Sequence, residues 1–264
     1  MLSTLPPLNH TLEVSVVIPC KNERENLAFL IDEVHAALKE RAFELIIVDD
    51  GSTDDTGPFL KEAAATRPWL RHVRHEASCG QSNAVRTGLL LAKGEFIATL
   101  DGDGQNDPAF FPQMIDALKA GGPDHALAAG QRMKRTDGFV KKHGSRLANK
   151  IRQSMLKDNT RDSGCGLKVI RRQVFLNLPF FEAWHRFLPA LVVREGLKVV
   201  HIDVIDRGRS HGVSKYGIFD RLWVGIIDLF GVLWLRKRRK KIPVITEIDL
   251  SPDTSSDASG NDQH

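Results

Sequence analysis

Three times in its first 110 residues the chain runs through a short apolar, β-branched stretch and straight into a cluster of acids, amides and turn formers. VSVVIP (14–19) leads into CKNERE, FELIIV (43–48) into DDGSTDDT, and EFIATL (95–100) into DGDGQND. Unbroken apolar runs of this length are the pattern of strands buried on both faces. WLRHVRH (69–75) reads as a weaker strand, and HALAAG (125–130) as a further one. Between the strands, ERENLAFLIDEVHAALKE, DDTGPFLKEAAA, GQSNAVRTGLLLAKG and DPAFFPQMIDALKAGG carry apolar residues at helical spacing. Gly94 reads as the stop of the third helix, and Asp107 as the N-cap of the helix opening at Pro108. Strand and helix in alternation specify an α/β fold, a mostly parallel sheet flanked by helices. Ligands of such sheets sit beyond the carboxyl ends of the strands. The pattern therefore predicts one crevice lined by all three clusters.

With 264 residues, 42% of them hydrophobic, the chain can bury one large core. Cys20, Cys79 and Cys165 show no CxxC spacing, which argues against a disulfide framework or a zinc site and suits a reducing compartment. MLSTLPPLNHTLE carries neither a basic n-region nor an apolar h-region, so no secretory signal is expected. The net charge of +4 is unevenly placed: residues 242–264 hold five acids and no Lys or Arg, leaving 37 basic residues against 28 acids elsewhere. A basic body points to an anionic partner. No RNA-binding aromatic signature is present, so nucleic acid is not the expected one.

Asp101 and Asp103 flank Gly102, a spacing that lets one tight turn aim both carboxylates at a point. Two anions there require a cation or a shared proton. Oxygen ligands with open positions suit Mg²⁺ or Mn²⁺, which keep sites for phosphate oxygens. An EF-hand loop starting at Asp101 would need Gly at 106 and Glu at 112, where the chain has Asn106 and Pro112. The glycine-rich dinucleotide loop and the P-loop are both absent. A solvated, helix-capping turn is the alternative for this stretch taken alone.

VSVVIPCKNERENL, IIVDDGSTDDT, GQSNAVRTGLLLAKGEFIATLDGDGQNDP and RSHGVSKY together resemble family 2 glycosyltransferases of the GT-A fold. The closer likeness is to the dolichol-phosphate mannose synthase group, whose members load a sugar onto a polyprenyl phosphate; it runs from about Val14 to Lys215. The resemblance implies a metal-dependent, inverting transfer from a UDP- or GDP-linked sugar to polyprenyl phosphate. By it, Pro19, Asn22 and Glu23, with Asp49 or Asp50, line the nucleotide pocket. Asp101 and Asp103, a DXD motif, bind Mn²⁺ or Mg²⁺, and Gln105 extends that shell. Arg209 and Lys215 neutralise the departing diphosphate, while Arg132 and Arg146 bind the acceptor phosphate. Lys21 stands where the family often has an aromatic residue. Asp162, in DSGCGLK, either faces the acceptor or holds its loop. A phosphate acceptor is already anionic and needs no protein base; His185 is read as either a base or a structural or substrate-positioning group.

Residues 218–235 (IFDRLWVGIIDLFGVLWL) are mostly apolar but interrupted by Asp220, Arg221 and Asp228, too many charges for an easy membrane span. Helical periodicity gathers Gly217, Asp220, Arg221, Gly225, Asp228 and Gly231 on one stripe, leaving apolar residues elsewhere. That describes an interfacial helix, or a packed helix with one wet stripe. The run Arg236–Lys241 adds about 1 kcal/mol per cation at an anionic leaflet. Trp223, Phe230, Trp234, Arg236, Lys237, Arg238 and Arg239 are the expected membrane contacts. The expected organisation is a flexible lead-in (1–12), a GT-A catalytic domain (13–205), a segment that closes the donor site and docks on the membrane (206–241), and a disordered acidic tail (242–264). The implied protein is cytoplasmic, attached to the inner face of a membrane. A hydroxyl of a lipid or polysaccharide as acceptor, and a noncatalytic sugar-nucleotide-binding scaffold, are the competing readings.

Overall fold

The computed structural model describes residues 12–133, 152–207 and 218–238. The chain opens with β1 (Leu12–Cys20), α1 (Arg24–Leu38), β2 (Phe43–Asp49), α2 (Thr56–Thr66), β3 (Leu70–Arg74), α3 (Gln81–Leu91) and β4 (Gly94–Thr99). A 3₁₀ turn at Pro108–Phe110, capped by Asp107 accepting from the Ala109 N–H at 2.9 Å, leads into α4 (Phe111–Ala120). There follow β5 (His125–Arg132), β6 (Lys168–Arg171), α5 (Arg172–Asn177), a 3₁₀ turn at Trp184–Arg186, α6 (Leu188–Arg194), β7 (Lys198–Val204) and α7 (Ile218–Arg238).

The sheet order is β3-β2-β1-β4-β6-β5-β7. β1 runs parallel to β2 and β4, β2 to β3, and β5 to β7, whereas β6 is antiparallel to both β4 and β5. Alternate residues of the central strands enter opposite layers, which is why their sequences read as unbroken apolar runs. Val14, Val16 and Ile18 pack with Leu27, Leu30 and Phe111 on one face. Val17, Ile46 and Val48 pack with Val85, Leu89 and Trp184 on the other.

One expected helix stop is corrected. α3 ends at Leu91, and Gly94 is the first residue of β4, pressed so closely on β1 that a Cβ there would lie 2.5 Å from the Ser15 nitrogen. The buried Ser15 hydroxyl accepts from the Gly94 N–H at 2.8 Å and donates to Glu44 at 2.7 Å, a polar clamp at the strands' amino ends.

Of the two readings of the C-terminal helix, its described side chains show packing on the domain, and the place of Asp228 is corrected. Val232 is buried, Leu229 and Leu235 pack beside it on the core, and Arg194 donates to the Leu235 carbonyl at 3.0 Å. The half-buried Asp228 is raised by burial, partly offset by the Arg186 charge, so its carboxyl faces the domain. Part of the stripe expected in water is therefore the docked side. Ile226, Ile227, Phe230 and Trp234 are exposed, the last three at 68%, 58% and 60%. Among the described residues no helix is long and apolar enough to cross a membrane.

Candidate active site

The parallel strands deliver Cys20, Asp49, Thr99, Arg132 and Val204 to one edge of the sheet. Because β6 runs backwards, its first residue, Lys168, reaches the same edge and pairs with Thr99. The three polar clusters sit on this edge.

The turns after β1 and β2 are laced together. Asn22 adopts φ 55°, its Oδ1 accepts from the Thr53 N–H at 2.8 Å, and its own N–H donates to Ser52 Oγ at 2.9 Å. Glu23 accepts from Asn26 Nδ2 at 2.6 Å. Asp49, fully buried, accepts from the Ser52 N–H at 2.7 Å and pairs with Arg74. Asp50 accepts from the Ser78 hydroxyl at 2.7 Å and the Cys79 and Gly80 N–H groups at 2.7 and 2.9 Å, and meets His75 Nδ1 at 2.8 Å. Burial raises the Asp50 carboxyl, but these donors outweigh it and hold the group below its ordinary value. Both acids have protein partners, so they shape the two turns whatever else they touch. Pro19 faces the pocket beside Asp101.

The third cluster is wound about its own acids. Asp103 accepts from the Gln105 N–H at 3.2 Å, and the Asp101 N–H donates to Asn106 Oδ1 at 3.3 Å. Gln81, at the start of α3, donates to Asp101 at 2.7 Å. Burial, then the Asp103 charge, push the Asp101 carboxyl up to about 6, against the opposing pull of Lys168, Arg132 and Gln81. Gly166 lies so close that a Cβ there would be 2.5 Å from Asp101 Oδ2. A buried carboxylate whose ionisation the neighbouring Asp103 charge opposes, with a glycine leaving room beside it, forms with Asp103 a donor set that fits a divalent cation.

Arg132 lies at the same edge. It donates to Asp162 through Nε and Nη2, the latter at 2.9 Å, and to Asp206 at 3.2 Å. Asp162 also accepts from the Gly164 N–H, so it holds its own loop. Asn106 donates to Asp206 at 3.0 Å, and the Arg207 N–H donates to the Gln105 carbonyl at 2.9 Å. The Arg207 guanidinium bridges Glu33 and Asp107. The segment leaving β7 is thus fastened to the acidic turn. Arg146, Arg209, Lys215 and Arg239 lie outside the described residues, as does the Trp223 side chain.

Gln81, Gly166, Lys168, Asp206 and Arg207 were not legible as site residues. Lys168 did leave a signal: it is a cation placed directly before the apolar pair Val169–Ile170 in the strand KVIR. Buried, it donates to the Cys165 carbonyl, and burial lowers its amine.

A family model described as Glycosyl transferase family 2 matches residues 15–178. Over 253 residues the chain is 35% identical to the dodecaprenyl-phosphate galacturonate synthase of Rhizobium johnstonii, an overlap of 91% of this chain and 74% of that protein. It is 33% identical over 208 residues to the undecaprenyl-phosphate 4-deoxy-4-formamido-L-arabinose transferase of Aeromonas hydrophila subsp. hydrophila, with 78% of this chain and 63% of that protein covered. The fold matches glucosyl-3-phosphoglycerate synthase from Mycobacterium tuberculosis, solved with Mn²⁺, UDP and glucosyl-3-phosphoglycerate. That match has a TM-score of 0.63 at 20% identity and covers 86% of this chain and 80% of the other. The α/β architecture expected from the sequence is the GT-A fold. With most of its length aligned to these proteins, the chain belongs to glycosyltransferase family 2.

Proposed function

We propose that the protein transfers a sugar, with inversion, from a nucleoside diphosphate to a polyprenyl phosphate at a membrane surface. The observation that carries this reading is the Asp101–Asp103 turn at the carboxyl edge, in a chain 35% identical to a polyprenyl-phosphate sugar synthase. Asp101 and Asp103 would hold a divalent ion, Mn²⁺ or Mg²⁺, which neutralises charge on the diphosphate leaving group. Pro19, Asn22 and Glu23 border the nucleoside, with Asp49 and Asp50 shaping the turns beneath it. Gln105 ties the acidic turn to Arg207, and Arg209 and Lys215, which follow in sequence, are assigned to the departing diphosphate.

The acceptor brings its own anionic oxygen, so the protein need only orient it and screen its charge. Arg132 and Arg146 are assigned to that phosphate. Asp162 and Asp206 preset the planar fork of Arg132, and the incoming phosphate competes with them for its protons. The exposed face of Ile226, Ile227, Phe230 and Trp234, ending in Arg236–Arg238, supports docking on an anionic leaflet; apolar area and cations together give two anchoring signals. Residues 13–205 form the catalytic unit in this reading and 206–241 the docking segment, on the cytoplasmic side of the membrane.

The test is incubation with Mn²⁺ or Mg²⁺, labelled UDP- and GDP-sugars, and undecaprenyl phosphate. A chloroform-soluble labelled glycolipid is expected. Transfer only to a soluble saccharide or a lipid hydroxyl would refute the acceptor, and nucleotide binding without turnover on any acceptor would refute the enzyme.

A further inference from the structure

We propose that His185 is a fixed hydrogen-bond donor that holds an oxygen of the donor's sugar, its ring tautomer set by Ser82. The proposal rests on the glycosyl-transfer reading of the site and names a contact within it.

The argument starts from one hydroxyl. Ser82, the second residue of α3, is fully buried. The Ala183 N–H donates to its Oγ at 2.8 Å, and the same Oγ lies 3.0 Å from His185 Nδ1. A serine hydroxyl has a single proton to give. Among the described residues no group other than His185 accepts from Ser82. The proton therefore points at Nδ1, which must be the bare, accepting nitrogen. A neutral ring with a bare Nδ1 carries its proton on Nε2. Burial, then the charges of Lys168 and Arg186, push the imidazole down to about 3, so the ring is neutral across the working range.

Nε2 has no hydrogen-bond partner among the described residues, although the ring lines the pocket that also contains Pro19, Thr99, Asp101 and Lys168. That N–H opens on a pocket lined by polar and apolar groups alike, where an oxygen of a bound molecule can accept from it. Its position indicates which one. Along the carboxyl edge, the nucleoside turns follow β1 and β2, the metal carboxylates follow β4, and Lys168 opens β6 on the far side. A sugar joined to the nucleoside through the diphosphate falls beyond the carboxylates, on the side of Lys168 and His185. A protonated Nε2 donates to an oxygen lone pair of that sugar. It cannot also remove a proton, so His185 is not the general base.

Two measurements test this independently. The first is the imidazole ¹⁵N spectrum of the wild-type protein with its histidines labelled. The His185 resonance, identified by its absence from His185→Gln, is expected to show a protonated Nε2 and a bare Nδ1 between pH 6 and 8. A bare Nε2 would overturn the proposal without reference to any substrate. The second compares affinities for UDP and GDP with those for UDP-galacturonate, UDP-glucose and GDP-mannose, using the sugar nucleotide that the wild type prefers. His185→Phe is expected to bind the nucleoside diphosphate normally and the sugar nucleotide about tenfold more weakly. His185→Gln, whose side-chain amide donates from a similar place, is expected to recover most of that loss. Ser82→Ala is expected to fall between them. An unchanged ratio in His185→Phe would refute the sugar contact. So would a His185→Gln enzyme that binds normally but turns over no faster than His185→Phe, since that marks a base. If the wild type bound no sugar nucleotide, the glycosyl-transfer reading would fall, while the ¹⁵N spectrum would still decide the tautomer.

Discussion

Replacing Asp50 with Asn separates a structural hub from a ligand. The carboxylate receives the Cys79 N–H and meets the His75 ring through Oδ1, and receives the Ser78 hydroxyl and Gly80 N–H through Oδ2. An amide has one oxygen. Whichever way it turns, one backbone N–H faces an NH₂ group. That orphaned donor costs about 1–3 kcal/mol, and each remaining bond loses the part that came from charge. Cys79 is exposed and Gly80 half-buried, so water repairs some of the damage; the low end for the orphaned donor together with the lost charge contribution comes to about 2 kcal/mol. For a chain of this size that is a fall in Tm of about 4–8 °C. Urea melts should show a lower midpoint at an unchanged slope. The sign of the pH effect follows from the depressed Asp50 carboxyl. The stability it supplies is present above the unfolded value of about 4 and is lost as pH falls through the lower folded value, so Asp50→Asn should have a flatter acid limb. The same loop carries Gln81 to Asp101, so metal affinity should weaken secondarily. A Tm within 1 °C of wild type, with nucleotide affinity lost, would refute the reasoning and make Asp50 a direct ligand.

Three further outcomes are expected. Asp103→Ala should abolish turnover while leaving circular dichroism unchanged, and near-normal turnover with metal dependence intact would contradict its assignment. Gly166→Ala, whose new methyl would press on Asp101 at 2.5 Å, should weaken Mn²⁺ binding at least tenfold by calorimetry, about 1.4 kcal/mol, with less than 1 kcal/mol change in folding stability. Phe230→Ser with Trp234→Ser should lose co-sedimentation with phosphatidylglycerol vesicles; retention equal to wild type would move the docking surface elsewhere.

The acidic crevice was legible because β1, β2 and β4 are buried on both faces, leaving unbroken apolar runs that end at polar clusters. β6 and β7 were not. β6 is four residues long between a loop and Arg172, and β7 lies at the sheet's edge with mostly half-exposed side chains, so neither yields a clear apolar run. Lys168 and Gly166 reach Asp101 only because β6 enters the sheet in reverse, a fact of topology that local sequence does not encode. Asp228 was read as wet from periodicity alone. Periodicity says which residues share a helix face, and the Arg186 that meets this face lies 42 positions away in sequence. Similarly, the triplet Ser82, Ala183 and His185 carries no spacing signal, since a span of about a hundred residues separates its parts.

The reversed strand has a consequence for how such a chain can diversify. β5 departs at the rim with Arg132, and β6 starts back from the same rim with Lys168, so the chain between them leaves and returns at the edge that carries the acidic turn. Lengthening or rewriting an excursion of this kind disturbs no strand register, and each doubling of its length costs only about 0.6 kcal/mol in closure entropy. A change in chain length between these two strands therefore leaves the order and register of the sheet beneath the acidic turn in place.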